Sequence, residues 1–330
     1  MKIGFISFAH MHAYAYAEQI VNHPDATIEA IWDDDVSRGE LAAKTYGATY
    51  YGDLDHLLAA DIDAVIICSE NAHHKSHVIR AAQYKKPILC EKPIATNIDD
   101  AISMIKKCHE NGVQLQIAYP VRFIAAIRQA KDIIASGKIG GIFAVNATNH
   151  GKMPGGWFVE RNLSGGGSAT DHIVHIMDVL RWIFDDEAER VYAEYDTHFH
   201  PIDVEDCGAV QIEMNSGMIV SIDPSWSRPD TYPTWGNVTM KFTGTEGTLY
   251  IDAFKQHAVY YNDYDGRIEE QPWAEDMNES LVHDFIDCVQ TGRTPFITGE
   301  DGLRTLEVVK ASYQSDAEQK YIDVNHIKDI

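Results

Sequence analysis

Over the first 120 residues, short apolar runs alternate with helical patterns, and this alternation restricts the fold more than any other feature. "KIGFI" (2–6), "TIEAIWD" (27–33), "DAVIICS" (63–69), "PILC" (87–90) and "VQLQIAY" (113–119) read as strands. Between them "AYAYAEQIV" (13–21), "VSRGELAAKTYG" (36–47), "HKSHVIRAAQYKK" (74–86) and "NIDDAISMIKKCHENG" (97–112) have helical spacing, and Gly47 and Gly112 act as stops. Apolar strands joined through helices form βαβ units, and right-handed crossovers order them into one parallel sheet.

The pattern changes near residue 120. "RFIAAIRQAKDIIASGKIGG" (122–141) is expected as one amphipathic helix, with Phe123, Ile127, Ala130 and Ile134 on a stripe. Period-two segments follow at 141–151, 189–199, 207–214, 217–226, 237–244, 247–254 and 258–262, and the "NSG" turn (215–217) joins two of them as a hairpin. Helices at 279–292 and about 299–316 close the chain. The expected fold class is therefore α/β for residues 1–120, with an α+β unit over 121–330 built on an open-faced, mostly antiparallel sheet. The closing helix at 299–316 is expected to pack back on the N-terminal unit. A one-sided sheet with an apolar outer face would need covering, which predicts a homodimer or homotetramer.

Bulk properties exclude several classes of partner. The net charge of −23 repels phosphate backbones and anionic membranes, so neither nucleic acid nor a membrane surface is an expected partner. No apolar run reaches the ~18 residues of a membrane span. "MKIGFISFAH" lacks a signal-peptide apolar region. The five cysteines are odd in number and contain no C-x-x-C pair, which fits reduced thiols in a cytoplasm.

The chain begins strand-turn-helix, and an acid ends its second strand, which is the layout of a dinucleotide site. The turn lacks the usual glycines. Ser7 and Ala9 are small and stand at the first two glycine positions, but His12 stands at the third. In a shorter-turn reading His12 belongs to the helix. In either case backbone amides at the helix start, from Ser7, Phe8, Ala9 and His10, could hold a pyrophosphate. Asp33 is placed to bond a ribose 2′-hydroxyl, and Asp34 and Asp35 beside it would repel a 2′-phosphate, so NAD is favoured over NADP. Arg38 dissents, since it could stack on adenine or meet a phosphate. Helix capping before Val36 is the competing account of the three acids.

In "LCEKPIAT" (89–96), charges stand at the carboxyl end of a buried strand, a costly place unless they have a task. Further on, "GGGSATDHIVHIMDVLRWIF" (165–184) puts Asp171 and His175 four residues apart on one helix face. Together these segments resemble the E-K-P and G-G-G…D-x-x-x-H motifs of the glucose–fructose oxidoreductase, inositol dehydrogenase and MocA family. The resemblance extends, in the family's order, through 69–95, 122–142, 204–226 and 242–252. It implies an N-terminal Rossmann domain, a C-terminal open-faced sheet, NAD or NADP, and a sugar, polyol or related hydroxy compound as substrate. It also implies that Lys92, Asp171 and His175 face the nicotinamide. Oxidising an alcohol needs a group for the hydroxyl proton, and Lys92 and His175 supply it with Asp171 in support. Pro93 ends the strand and aims Lys92.

On this reading Ser69, Asn71, His74 and Glu91 join Lys92 and the turn residues around the cofactor. Tyr119, His150, Trp157, Arg161 and His172 are assigned to the substrate, with the Gly-rich loop 149–162 folding over it. No metal is expected, although His10–His12 and His172–His175 have spacings that could ligate one. Two rivals keep the same residues. One is an NAD-dependent glycosidase or lyase acting through transient oxidation. The other is a non-catalytic cofactor-sensing protein, if the missing glycines abolish turnover.

Overall fold

The computed structural model describes residues 1–255, 257–262, 267–272 and 276–327. The N-terminal sheet contains β1 (Lys2–Ile6), β2 (Thr27–Trp32), β3 (Thr49–Tyr50), β4 (Ala64–Ile67), β5 (Ile88–Glu91) and β6 (Leu115–Ala118). All pairs are parallel, in the order β3-β2-β1-β4-β5-β6. Helices α1 (His12–Asn22), α2 (Val36–Tyr46), α3 (Leu54–Leu58), α4 (His74–Gln83) and α5 (Ile98–Asn111) connect the strands. Chain order reverses between β1 and β4, and in such sheets ligands bind outside the strands' carboxyl ends at that point. The residues following β1, β4 and β5 meet there. β3 and α3 lack a clear period and are additions to the expected elements.

The linking segment is not one helix. A 3-10 turn, Pro120–Phe123, is followed by extended Ile124 and then α6 (Ala125–Ala135). The break serves Arg122, which is buried and forks onto Asp178 with Nε 3.0 Å from Oδ2. Its Nη1 also donates to the Phe296 carbonyl at 2.9 Å.

The second sheet holds β7 (Ile142–Gly151), β8 (Ala188–Asp196), β9 (Cys207–Met214), β10 (Ile219–Asp223), β11 (Gly236–Gly244), β12 (Thr248–Asp252) and β15 (Ile322–Asp323), ordered β12-β11-β7-β10-β9-β8-β15. Only β7 and β10 pair in parallel. β13 (His257–Asn262) and β14 (Arg267–Pro272) form a separate hairpin. The remaining helices are α7 (Arg161–Ser164), α8 (Ser168–Phe184), α9 (Met277–Thr291) and α10 (Gly299–Glu318). Val145, Ala147, Val191, Ala193, Val210, Ile212, Val220, Ile222, Met240 and Phe242 point inward into the main core.

The opposite face corrects one expectation. It is not an apolar surface awaiting a cover. A shallow depression on it is lined by Asn146, Tyr192, Glu194, Gln211, Ser221 and Asp223 among others. The strict period of two sends polar residues outward, and Phe143, Ile219 and Tyr250 stand exposed as scattered side chains.

Helix α10 touches both sheets' surroundings. Gly302 lies against Ile94 and Ile117, and Gly299 against Ile105 and Leu115, so tightly that a methyl group at Gly302 would come within 2.9 Å of Ile117. At its other end Ser315 Oγ accepts from the Ala193 amide of β8. No helix of the described residues is long and apolar enough to cross a membrane.

Candidate active site

Helix α8 is placed before it is used. Gly165, Gly166 and Gly167 run into its start, and a Cβ on Gly167 would lie 2.0 Å from the Glu205 carbonyl oxygen, so only glycine fits. Glu205 Oε1 accepts from the amides of Gly167 (2.7 Å) and Ala169 (3.3 Å), putting a carboxylate on the helix N-terminus. Asp171 then falls in the first turn and His175 one turn later, on the same face.

Lys92 follows the end of β5, and its peptide bond to Pro93 is cis. Its Nζ donates to Asp171 Oδ1. The other carboxylate oxygen, Oδ2, accepts from Trp226 Nε1 at 3.1 Å and lies 3.2 Å from His172 Nε2. Burial alone would raise the Asp171 carboxyl, but the Lys92 ammonium, followed by His172, outweighs it and holds Asp171 well below the usual carboxylate range. Burial, then Lys92, holds His175 well below the usual imidazole range, so the ring is neutral. His175 Nδ1 is buried without a hydrogen-bond partner. Lys92, Asp171, His172 and His175 line one cavity of about 340 Å³, together with His10, His12, Asn149, His150, Trp235 and Asn237 among others.

A second network lies beneath it. Glu91 is buried, and its Oε1 accepts from Tyr16 Oη and lies 3.0 Å from His12 Nδ1. Its Oε2 accepts from the Lys92 amide at 3.0 Å and lies 3.7 Å from His10 Nε2. Burial opposes ionisation of Glu91, but His10 and His12 prevail, so the carboxyl stays charged. The donor atoms of His10, His12 and Glu91 all lie within 4.8 Å of one another, a spacing a metal ion could bridge. The His12 amide, however, donates to His10 Nδ1 at 3.1 Å. That bond places the neutral ring's proton on Nε2, the atom a metal would need bare. The cluster is a hydrogen-bond network as it stands.

The glycine-poor turn keeps its shape. Ser7 adopts φ +67°, the left-handed conformation a glycine would take at little cost. Its Oγ accepts from the Ala9 amide at 3.1 Å and from Arg38 Nη2 at 3.3 Å. Asp33 is corrected from its expected role. Its side chain is fully buried, and its oxygens accept from the Phe8 amide (2.7 Å), the Asp35 amide (3.0 Å) and Arg38 Nε (2.9 Å) and Nη2 (2.6 Å). It therefore anchors the turn rather than facing a ribose, and the exposed groups there are Asp34 and the edge of Arg38. Capping of α2 falls to Asp35, whose side chain accepts from the Arg38 amide. Phe8 contributes packing against Phe5, Tyr14 and Tyr46, and its amide is taken by Asp33.

Other expected residues divide. Asn71 and Lys92 share a small second cleft, and Asn71 Nδ2 donates to the Ser164 carbonyl at 2.8 Å. Ser69 and His74 are fully buried. Ser69 Oγ lies 2.9 Å from His77 Nδ1, while His74 bridges the Pro93 and Ser69 carbonyls. Among the substrate candidates, His150 and His172 line the cavity. Tyr119 does not; its hydroxyl is 2.7 Å from Thr305 Oγ1, and its ring edge supports His175. Trp157 stacks on Phe158 and donates Nε1 to the Ala9 carbonyl at 3.1 Å, so it lies on the cofactor turn while Phe158 lines the cavity. Arg161 is half exposed and pairs with Glu205 at 3.7 Å, away from the cavity. Trp226, Asn149, Trp235 and Asn237 went unmarked in the sequence. Trp226 ends "DPSW", where a Trp just beyond an alternating strand was the available signal.

A dinucleotide fits these residues at the level of backbone shape. The left-handed turn is retained without its glycine, it opens onto α1 at the β1/β4 reversal, and Lys92 and His175 stand at the neighbouring strand end.

Comparison with known proteins agrees with this arrangement. Residues 1–119 match the family described as oxidoreductase family, NAD-binding Rossmann fold, and residues 127–250 match the GFO/IDH/MocA C-terminal domain. The chain is similar to a myo-inositol 2-dehydrogenase of Thermotoga maritima, with 26% identity over 99% of both chains. It is also 29% identical to a 1,5-anhydro-D-fructose reductase of Ensifer adhaerens, over 78% of this chain and 79% of that protein. Among solved structures, GenD2 from gentamicin A biosynthesis in complex with NAD superposes with a TM-score of 0.89 at 24% identity, covering 98% of this chain and 96% of that one. At that identity the likeness bears on the fold.

Proposed function

The chain belongs to the GFO/IDH/MocA oxidoreductase family, an NAD-binding Rossmann family, and from that premise we propose that its cavity interconverts a hydroxyl and a carbonyl on a sugar, polyol or related small molecule. The observation that carries the reading is the Lys92–Asp171 ion pair standing beside the neutral, unpartnered His175 in one cavity. Curated relatives named for inositol and anhydrofructose chemistry support the substrate class.

Bound nicotinamide would supply the hydride acceptor or donor. Everything else falls to the chain. The Lys92 ammonium donates to the reacting oxygen and fixes its position. Asp171 holds that ammonium in place, and Trp226 and His172 hold Asp171. His175 is neutral and lines the cavity, so it can take the hydroxyl proton as the carbonyl forms and return it in the reverse direction. The turn from Ser7 to Met11 would pass beside the pyrophosphate; its Phe8, Ala9, His10 and His12 amides are already taken by Asp33, Ser7 Oγ, the Cys68 carbonyl and His10 Nδ1, which leaves the Met11 amide to meet it. Asp34, Asp35 and the acid-saturated Arg38 favour the 2′-hydroxyl of NAD over a 2′-phosphate.

The same reading takes residues 1–120 as the cofactor domain and 121–330 as the substrate domain. It includes a cytoplasmic setting, supported by cysteines that are all free thiols. It also includes a homodimer or homotetramer, for which light scattering is the test.

The deciding experiment is NADH absorbance on a panel of inositols, aldoses and anhydro sugars, with wild type and Lys92→Met. Turnover in wild type that is lost in the variant supports the proposal. Product released without NADH would replace it with the transient-oxidation reaction.

A further inference from the structure

His12 stands where a dinucleotide-binding turn has its last glycine. It is the first residue of α1, and its ring turns back to Glu91 at the end of β5. Its partner fixes its chemistry. Glu91 Oε1 already accepts from Tyr16 Oη and lies 3.0 Å from His12 Nδ1, a geometry that puts the hydrogen on Nδ1 and, in the neutral ring, leaves Nε2 its lone pair. Tyr16, one turn along the same helix, donates to the same carboxylate oxygen and packs its ring 5.8 Å from that of His12, which holds the orientation.

His12 lines the cavity that holds Lys92 and His175, but it differs from both in access to water. Its side chain is 28% exposed, whereas Lys92 and Asp171 are at 4% and 14% and His175 is buried. A proton taken up by His175 is stranded unless some group at the cavity mouth can pass it on. A carboxylate-backed imidazole with one bare nitrogen suits that task.

We propose that His12, supported by Glu91, is the proton exit of the active site, passing the hydroxyl proton between the buried His175 and bulk water. This rests on the dehydrogenase reading above. In the oxidative direction the substrate O–H bond breaks, the hydride of the same carbon leaves to the nicotinamide, and the proton goes to the His175 ring. Water in the shared cavity carries a proton from His175 to His12 Nε2, and His12 releases one to solvent, so His175 is neutral again before the next turnover. The reductive direction runs the same path inward. The groups facing His12 are His10 and Tyr16 at its own end of the chain, Glu91 and Lys92 from the β5 end, and His175 with Asp171 from α8.

The test uses the whole protein with His12→Gln and Glu91→Gln. NAD binding by calorimetry is expected to stay within about threefold of wild type in His12→Gln, while kcat falls at least about tenfold. Millimolar imidazole in the buffer should restore much of that loss and leave wild type unchanged. Ring ¹⁵N spectra of the free protein should show His12 hydrogen on Nδ1, in a signal absent from His12→Gln and shifted by Glu91→Gln. Hydrogen on Nε2, an unchanged kcat, or a reduced kcat that imidazole does not restore would overturn the proposal. Inactive wild type would instead bring down the dehydrogenase reading, and the exit with it; active wild type with an indifferent His12→Gln would bring down the exit alone.

Discussion

Trp226 donates its indole N–H to Asp171 Oδ2 at 3.1 Å, while Lys92 occupies Oδ1 of the same carboxylate. The two oxygens of Asp171 thus have separate tasks. One holds the Lys92 ammonium, and the other is fixed to a fully buried ring that packs with Phe158 and Val204.

Trp226→Phe should therefore act through Asp171. The ring volume is nearly kept and the indole N–H is lost, so Asp171 can rotate and Lys92 loses its fixed position. A fall in kcat of about tenfold is expected with KM within about twofold, the pattern of an interaction felt mainly in the transition state. Steady-state kinetics on the best substrate of the panel checks it. A rise in KM at constant kcat would place Trp226 in substrate binding instead.

The joint between the two sheets depends on Arg122. Its fork on Asp178, with both side chains buried, holds α8 against the turn that follows β6. Removing one member of a buried pair leaves an uncompensated charge and costs about 3–5 kcal/mol. Arg122→Leu should lose about that much stability in urea unfolding. Because α8 carries Asp171 and His175, residual folded protein should also lose turnover. A loss below about 1 kcal/mol would show that the pair is replaceable.

Acid should destabilise the fold through buried histidines. Burial lowers His10 to about 3 from its ordinary 6.5, and His77 likewise. Between those values the unfolded chain binds a proton that the native ring does not, so stability falls as pH falls through that window, by about 1.4 kcal/mol per pH unit for each such ring. Asp178 opposes this: burial raises it to about 6 from 3.8, so acidification over that range favours the native state. The two rings outweigh the one carboxyl. His10→Asn should reduce the slope of stability against pH by about 1.4 kcal/mol per unit between pH 6 and 5, measured by urea unfolding at each pH. An unchanged slope would mean His10 is protonated in the native state.

Much of this was legible in the sequence for physical reasons. Strand and helix periods, with glycine stops at Gly47 and Gly112, reported the parallel sheet, because core-facing positions must repeat with the backbone period. Lys92, Asp171 and His175 were grouped by the family resemblance rather than by physical reasoning alone, and the structure brings the three side chains to one cavity. Loop side chains were not legible. Trp157 and Arg161 sit in a segment without a period, and their directions follow from contacts far along the chain, Ala9 for one and Glu205 for the other. Asp33 was read by position, but its partners Phe8, Asp35 and Arg38 use both its oxygens, and sequence does not record satisfied hydrogen bonds. The continuous helix expected across residue 124 failed because an apolar stripe does not reveal the extended Ile124 that lets Arg122 turn inward.

The turn after β1 offers a test of backbone conformation separated from side-chain chemistry. Ser7 holds φ +67°, where a Cβ costs roughly 1–2 kcal/mol that glycine avoids, and it repays part of this through Oγ bonds to the Ala9 amide and Arg38. Ser7→Ala keeps the strain and loses the bonds, so it should destabilise by about 1–2 kcal/mol. Ser7→Gly loses the same bonds and also releases the strain, so it should be more stable than Ser7→Ala by about 1 kcal/mol. The pair should also differ in NAD affinity by calorimetry, with glycine nearer wild type, because the path of the backbone beside the pyrophosphate depends on the left-handed turn. Equal stability of the two variants would show that position 7 relaxes away from positive φ, and that the retained turn does not explain how a glycine-poor loop serves a dinucleotide.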